Sequence, residues 1–265
     1  MSKLYVNGIE LYYDLQGLAE NPVLVLNNGI IMNAASSWVF QTETFTRHYH
    51  LLKYDCRGQG QSAHPEDAYS MEQHADDLAA LLSALGIDFA HISGISYGGE
   101  VAQAFVLKYP ERVRSLILAD TVSEVGPALQ IIVHSWLDAA RHGDAEAFFN
   151  ATVPWNFSAQ FIAANPGLLK DARGRFDFLD YPAVVRLCEC FLNVDFTARL
   201  SEVKSPTCIL VGALDLLKGP DYAAILKQHI PQAELHIIPG AGHASCWERP
   251  QEFNSIILDF LAKNS

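Results

Sequence analysis

A serine set between glycines is the side chain of this sequence best placed for covalent chemistry. It stands in Gly94-Ile95-Ser96-Tyr97-Gly98, between a short apolar run and a helix-compatible stretch that lasts to Tyr109. That is the pattern of a nucleophile elbow, in which a tight strand-to-helix turn pushes the hydroxyl out at the carboxyl end of a sheet; the plainer reading is a Gly-rich strand-to-helix turn. The flanking glycines matter because so tight a turn has no room for side chains. A hydroxyl is a poor nucleophile until a base removes its proton, and the base needs an acceptor to orient it. A histidine and a carboxylate are therefore expected at other strand ends. His243 follows the last predicted strand, in Pro239-Gly240-Ala241-Gly242-His243, where the glycines give an imidazole room to turn back over the sheet. Asp215 follows the preceding strand, in Gly212-Ala213-Leu214-Asp215, and Asp120 ends the strand after the elbow as a rival acid. The plainer reading of Asp215 is a helix cap ahead of Gly219-Pro220.

Attack on a carbonyl creates an oxyanion that two backbone donors must hold. One is the N–H of Tyr97, at a helix start where the helix dipole favours negative charge. The other is expected from the loop after residues 23–26, at the N–H of Ile30 behind Asn28-Gly29. An ordinary turn is the plainer reading of that loop.

These residues need a sheet to hold them, and the hydrophobic rhythm predicts one. Residues 4–14 alternate around Asn7-Gly8, a two-residue hairpin signal. Residues 23–26, a continuous apolar run, suit a strand buried on both faces, and 50–54, 89–93, 113–119, 206–211 and 233–238 read as further strands. Helices are predicted between them: 36–47 behind a Ser36 cap, a capping box at Ser70-Met71-Glu72-Gln73 opening a helix closed by Gly86, then 220–229 and 250–262. Strands alternating with helices at this spacing indicate a mostly parallel α/β sheet covered on both faces. From about 123 to 201 the rhythm changes to amphipathic helices rich in aromatics, among them Trp136, Phe148, Phe149, Trp155, Phe157, Phe161, Phe176, Phe178 and Phe191. The expected organisation is a core of 1–122 and 202–265 interrupted by a helical cap at 123–201.

Composition narrows the function. The chain has 265 residues, is half hydrophobic and carries a net charge of −12 without a Lys/Arg cluster. A phosphate backbone or an anionic membrane would repel it, so neither nucleic acid nor membrane is an expected partner. No apolar run approaches a membrane span and residues 1–7 carry no signal-peptide core. The five cysteines, Cys56, Cys188, Cys190, Cys208 and Cys246, are odd in number and scattered, as expected of reduced thiols in a cytoplasmic protein. Cys188-Glu189-Cys190 has no second Cys/His pair to complete a metal site. The Arg57–Ser62 stretch, Gly-rich as it is, lacks the lysine and spacing of a phosphate loop.

Taken together the motifs resemble the α/β-hydrolase superfamily over nearly the whole chain. The matches are Val6-Asn7-Gly8-Ile9, the stretch from Tyr54 to Ser62 and the elbow at 94–98, then Tyr109-Pro110-Glu111-Arg112-Val113, residues 212–215, and Gly242-His243 followed by Glu248-Arg249-Pro250. The resemblance implies a Ser96–His243–Asp215 triad, with Asp215 on the usual acid strand, and esterase, lactonase or thioesterase chemistry without cofactor or metal. The substrate is expected to be a small acyl compound, carried on a thiol in one variant of this reading. Asn28-Gly29 departs from the His-Gly of most relatives and is similar to relatives that handle hydroxyacyl chains on carrier proteins. Transfer of the acyl group to an acceptor other than water therefore stays open beside hydrolysis, as does a hydrolase-like ligand-binding protein. Serine at the elbow argues against dehalogenase or epoxide-hydrolase chemistry, which in this superfamily uses an aspartate there. The apolar Ile30-Ile31-Met32 and the aromatics of 123–201 suggest an acyl group with hydrophobic surface.

Overall fold

The structure, a computed structural model, describes residues 2–264. β1 (Ser2–Val6) and β2 (Ile9–Gln16) form the hairpin, with Val6 opposite Ile9. Asn7 and Gly8 take φ of 48° and 79°, the left-handed pair that an Asn-Gly turn supplies. β3 (Val23–Asn27), β4 (His50–Tyr54), β5 (Ala90–Ile95), β6 (Val113–Ala119), β7 (Thr207–Gly212) and β8 (Glu234–Ile238) complete an eight-stranded sheet in the order β1-β2-β4-β3-β5-β6-β7-β8. β1, β2 and β4 pair antiparallel; every pairing from β4 to β8 is parallel. The strand order reverses between β3 and β5, the place where such sheets open a crevice at their carboxyl ends.

Along β3 to β8 the helices are α1 (Ala34–Ser37), α2 (Thr42–Phe45), α3 (Met71–Ala84), α4 (Tyr97–Lys108), α5 (Pro127–Arg141), α6 (Ala145–Asn156), α7 (Ala159–Ala164), α8 (Pro166–Phe176), α9 (Tyr181–Leu192), α10 (Pro220–His229), α11 (Ser245–Glu248) and α12 (Pro250–Lys263). Alternate strand residues feed opposite faces. Leu24, Leu26, Leu51, Ile117 and Leu210 pack with Trp38, just past α1, and with Phe45, Phe253 and Ile257 from α2 and α12. Val25, Leu52, Leu116, Leu118 and Val211 pack with Leu78, Leu82, Phe105 and Leu226 from α3, α4 and α10. Among the described residues no helix is long and apolar enough to cross a membrane.

Between β6 and β7 the chain runs through α5 to α9, and a bridge between Glu124 and Asp195 draws the two ends of this segment together. Trp136, Phe148 and Phe191 are buried in the same cluster as α3 and α4, so the segment shares the core of the sheet's α4 face. Phe149 and Phe176 meet edge-on at 5.1 Å, Phe157 stacks on Phe161 at 5.1 Å, and Phe178 is exposed.

The helix expected at 36–47 is instead two short ones, and its cap is Asn33 rather than Ser36. The Asn33 side chain accepts from Ala35 and Ser36 N–H, and the helix stops at Trp38. Tertiary demands override weak local propensity here, for Val39, Phe40 and Thr42 are all indifferent helix formers. Trp38 is fully buried near Phe253, and the buried Gln41 amide donates to Cys246 O at 2.9 Å.

The amino end of α4 is wedged against β3. A Cβ on Gly98 would overlap the Asn27 carbonyl oxygen, and one on Gly94 would overlap that of Gly98. Space, not backbone conformation, demands glycine at both. Gly98→Ala should lower stability by about 1–3 kcal/mol through overpacking. An unchanged urea-unfolding midpoint would contradict this close approach.

Candidate active site

Ser96 lies between β5 and α4 with φ 52° and ψ −122°, a conformation that an L-residue holds only under constraint. Its N–H donates to Ala119 O at 2.9 Å and its carbonyl accepts from Gly99 N–H at 2.8 Å, so the elbow is pinned on both sides. The hydroxyl Oγ is 2.9 Å from His243 Nε2, and His243 Nδ1 is 2.8 Å from Asp215 Oδ2. All three are nearly buried, with Ser96 the most open at 8 % exposure. Asp215 Oδ1 accepts from Leu217 and Lys218 N–H at 2.8 and 2.9 Å. Burial opposes ionisation of Asp215, but the facing His243 and these two donors hold its carboxyl below the usual range. An ionised Asp215 keeps the Nδ1 proton on its own side, leaving Nε2 as the acceptor facing serine.

Asp120 sits at φ 46° beyond β6 and does a different job. One carboxylate oxygen accepts from Gly212 N–H at 2.9 Å; the other lies against the hydroxyl and N–H of Ser245. It thus ties together the loops that carry Asp215 and His243. Burial and the negative charge of Asp215 push Asp120 up to about 7. The His243 loop is also held from α6, where Asn156 O accepts from Ala244 N–H at 2.9 Å.

Ile30 and Tyr97, the two expected oxyanion donors, line one cavity with Ser96. Tyr97 is the first residue of α4, whose leading N–H groups have no partner within the helix. A Cβ on Gly29 would stand 3.8 Å from that of Ser96, which places the β3 loop directly over the elbow. The loop turns sharply: Ile31 takes φ 58°, rare for a β-branched residue. Two buried amides support it. Asn28 Nδ2 is 2.9 Å from Met32 O, 3.3 Å from Gly29 O and 2.6 Å from Gln59 Oε1. With its amide turned over, Gln59 donates to the same carbonyls at 2.8 and 3.0 Å in place of accepting from Asn28. The Gly-rich turn at residues 57–62 therefore braces this loop.

The cavity is closed over by Leu129, Val133 and Trp136 of α5 and by Cys188 and Phe191 of α9. Its volume is about 20 Å³, room for a single water. A larger open hollow of about 640 Å³, bordered by His142, Tyr181 and Arg186, shares no residue with it. Cys188 is one of five buried free thiols, and burial pushes it up to about 12, which leaves it unreactive. Among the described residues no group of three His, Cys, Asp or Glu side chains is arranged to hold a metal.

Sequence reasoning overlooked Lys218 and Glu100. Both are buried, and the Lys218 ammonium is 3.0 Å from each Glu100 oxygen. Glu100 lies one turn after Ser96, and Lys218 lines the cavity. Nothing local marks this pair, whose members are 118 residues apart.

The raised Asp120 fixes a sign for stability. An acid whose folded pKa exceeds its unfolded value binds an extra proton in the folded state between the two values, so its contribution falls as pH rises from about 4 to about 7. Asp120→Asn should therefore gain stability relative to the parent across that interval. Thermal unfolding of both proteins from pH 4 to 8 measures it; a difference that is flat or shrinks with pH would contradict the assignment.

The model of the alpha/beta hydrolase fold matches residues 22–176, more than half of the chain. The "Putative carbamate hydrolase RutD" of Stutzerimonas stutzeri is 31% identical over 258 residues, covering 96% of this chain and 97% of that one. Among solved structures, MGS-M2, an alpha/beta hydrolase enzyme from a Medee basin deep-sea metagenome library, superposes with a TM-score of 0.94 at 31% identity, covering 98% and 97% of the two chains. The enol-lactonase from Burkholderia xenovorans LB400 gives 0.92 at 28% identity, over 98% and 100%. An elbow serine, a mostly parallel eight-stranded sheet and near full-length likeness agree, and the chain belongs to the alpha/beta hydrolase fold family.

Proposed function

We propose that the protein is a serine hydrolase that cleaves a carboxylic ester, lactone or thioester through an acyl-enzyme on Ser96. The observation that carries this reading is the continuous hydrogen-bonded line from Ser96 Oγ through His243 to Asp215, beside a largely apolar cavity. Likeness to an enol-lactonase and to a protein named for carbamate hydrolysis supports it, since lactones and carbamates both present an acyl carbonyl.

In this mechanism Ser96 Oγ attacks the carbonyl carbon while its proton passes to His243 Nε2. The Ile30 and Tyr97 N–H groups receive the oxyanion, each worth ~3 kcal/mol of transition-state stabilisation. The tetrahedral intermediate collapses, the leaving group takes the proton from His243, and the acyl group stays on Ser96. Water then attacks that ester with His243 again as base, which releases the acid and restores the serine. Asp215 keeps the imidazole in the productive tautomer throughout. Leu129, Val133, Trp136 and Phe191 suit an acyl group with apolar surface, and because the closed cavity holds only a single water, α5 and α9 must part from the elbow to admit one.

A fluorophosphonate should label Ser96, located by peptide mass mapping; no adduct on that serine in folded protein would sink the mechanism. Asp215→Asn should lower kcat by about 10⁴-fold by misplacing the Nδ1 proton, and Asp120→Asn far less. The reverse ranking would move the acid to Asp120. Since Asp215 is held ionised below the usual carboxyl range and Asp120 takes no part in the proposed proton relay, the parent and Asp120→Asn should show the same pH profile of kcat; an acid limb lost in Asp120→Asn would assign that limb to Asp120.

A further inference from the structure

The Glu100–Lys218 pair stands in the wall of the Ser96 cavity, yet the triad chemistry makes no use of it. Lys218 is 3 % exposed and Glu100 fully buried. The ammonium lies 3.0 Å from both Glu100 oxygens and 4.2 Å from the centroid of the Phe191 ring. Burial draws the Lys218 pKa down, and Glu100, Asp215 and Asp120 act against it. Well-packed apolar side chains would join the acid loop to α4 at least as firmly as a buried ion pair. What the pair adds is the one charged donor in a lining whose other polar side chains are Ser96, Tyr97 and Asn156 and whose remainder is apolar.

An ammonium has three N–H donors. Among the described residues the hydrogen-bonding partner of Lys218 Nζ is Glu100, which takes two of them and leaves one for a further acceptor. The charge around it decides what that acceptor is. Glu100 already balances Lys218, and the ionised Asp215 accepts from the Lys218 backbone N–H. A carboxylate on the substrate would add a negative charge to a neighbourhood that has one positive charge and at least two negative ones. An uncharged oxygen meets no such repulsion. Its place along the acyl chain follows from α4: Ser96 and Glu100 are four residues apart, ~6 Å along the helix axis. An acceptor near Lys218 is thus a few bonds from a carbonyl held at Ser96.

We propose that Lys218 is a specificity-determining residue whose ammonium hydrogen-bonds an uncharged hydroxyl or keto oxygen near position 3 of the acyl group. The proposal rests on the reading of Ser96 as the acylated serine.

The test compares p-nitrophenyl esters of butyrate, 3-hydroxybutyrate and succinate on the parent, Lys218→Met and the double variant Glu100→Gln/Lys218→Met. The double variant guards against misfolding, because it leaves no unpaired buried carboxylate. In the parent, kcat/KM should favour 3-hydroxybutyrate over butyrate by about ten- to hundredfold, the worth of one charge-assisted hydrogen bond, and succinate should be the poorest. In both variants the ratio of 3-hydroxybutyrate to butyrate should fall close to one, whatever loss the two esters share. A ratio retained while both rates drop equally would make the pair a strut and overturn the proposal. So would no preference in the parent, or a preference for succinate. If instead Ser96→Ala hydrolyses the esters as fast as the parent, the serine-hydrolase reading itself fails.

Discussion

The strained backbone of Ser96 is the constraint on which the rest of the site depends. A φ of 52° at a non-glycine residue costs of order 1–3 kcal/mol, so its surroundings must over-determine it. They do so from three sides. β6 takes the Ser96 N–H through Ala119, α4 takes its carbonyl through Gly99, and the Thr121 hydroxyl lies 3.0 Å from that same carbonyl. α4 also packs closely on Asn27, and the hydroxyl lies between His243 and the cavity. The same packing accompanies the loop after β3 lying over the elbow, with Gly29 close to Ser96, so Ser96 and the loop that carries Ile30 are positioned together.

Around that serine the buried charges divide the work by their environments. Asp215 has two backbone donors and an imidazole, and stays ionised. Asp120, equally buried, has the charge of Asp215 beside it and rises to about 7. Two carboxyls at adjacent strand ends thus take opposite shifts, which suits one to orient a base and the other to tie two loops together. Glu100 and Lys218 neutralise each other behind them. Apart from Ser96, Tyr97 and Asn156 the remaining lining is apolar, so a polar group that enters the cavity meets few partners.

Much of this was legible in the residues themselves. Ser96, Asp215 and His243 announce themselves because the chemistry restricts residue type and each follows an apolar run that can only be a strand. The hairpin at Asn7-Gly8 and the Ser70 capping box were legible for the same local reason, since short-range geometry demands those side chains. What escaped was set by distant contacts. The 36–47 stretch breaks because Trp38 and Gln41 answer to Phe253 and Cys246, more than 200 residues away in sequence. The brace of Asn28 by Gln59 and the pairing of Glu100 with Lys218 likewise join residues whose neighbours give no hint of each other. Asp120 looked like a rival acid because its position at a strand end is right; only its hydrogen bonds to Gly212 and Ser245 reveal another role.

The central claim is that acyl groups pass through a covalent ester on Ser96. Its most direct measurement is rapid acid quenching during turnover of an activated ester, followed by peptide mass analysis. The expected result is a mass increment equal to the acyl group on the peptide containing Ser96, appearing with a burst of leaving group and absent in Ser96→Ala. Turnover of that ester with a burst but no increment on Ser96, or an increment that persists in Ser96→Ala, would contradict it.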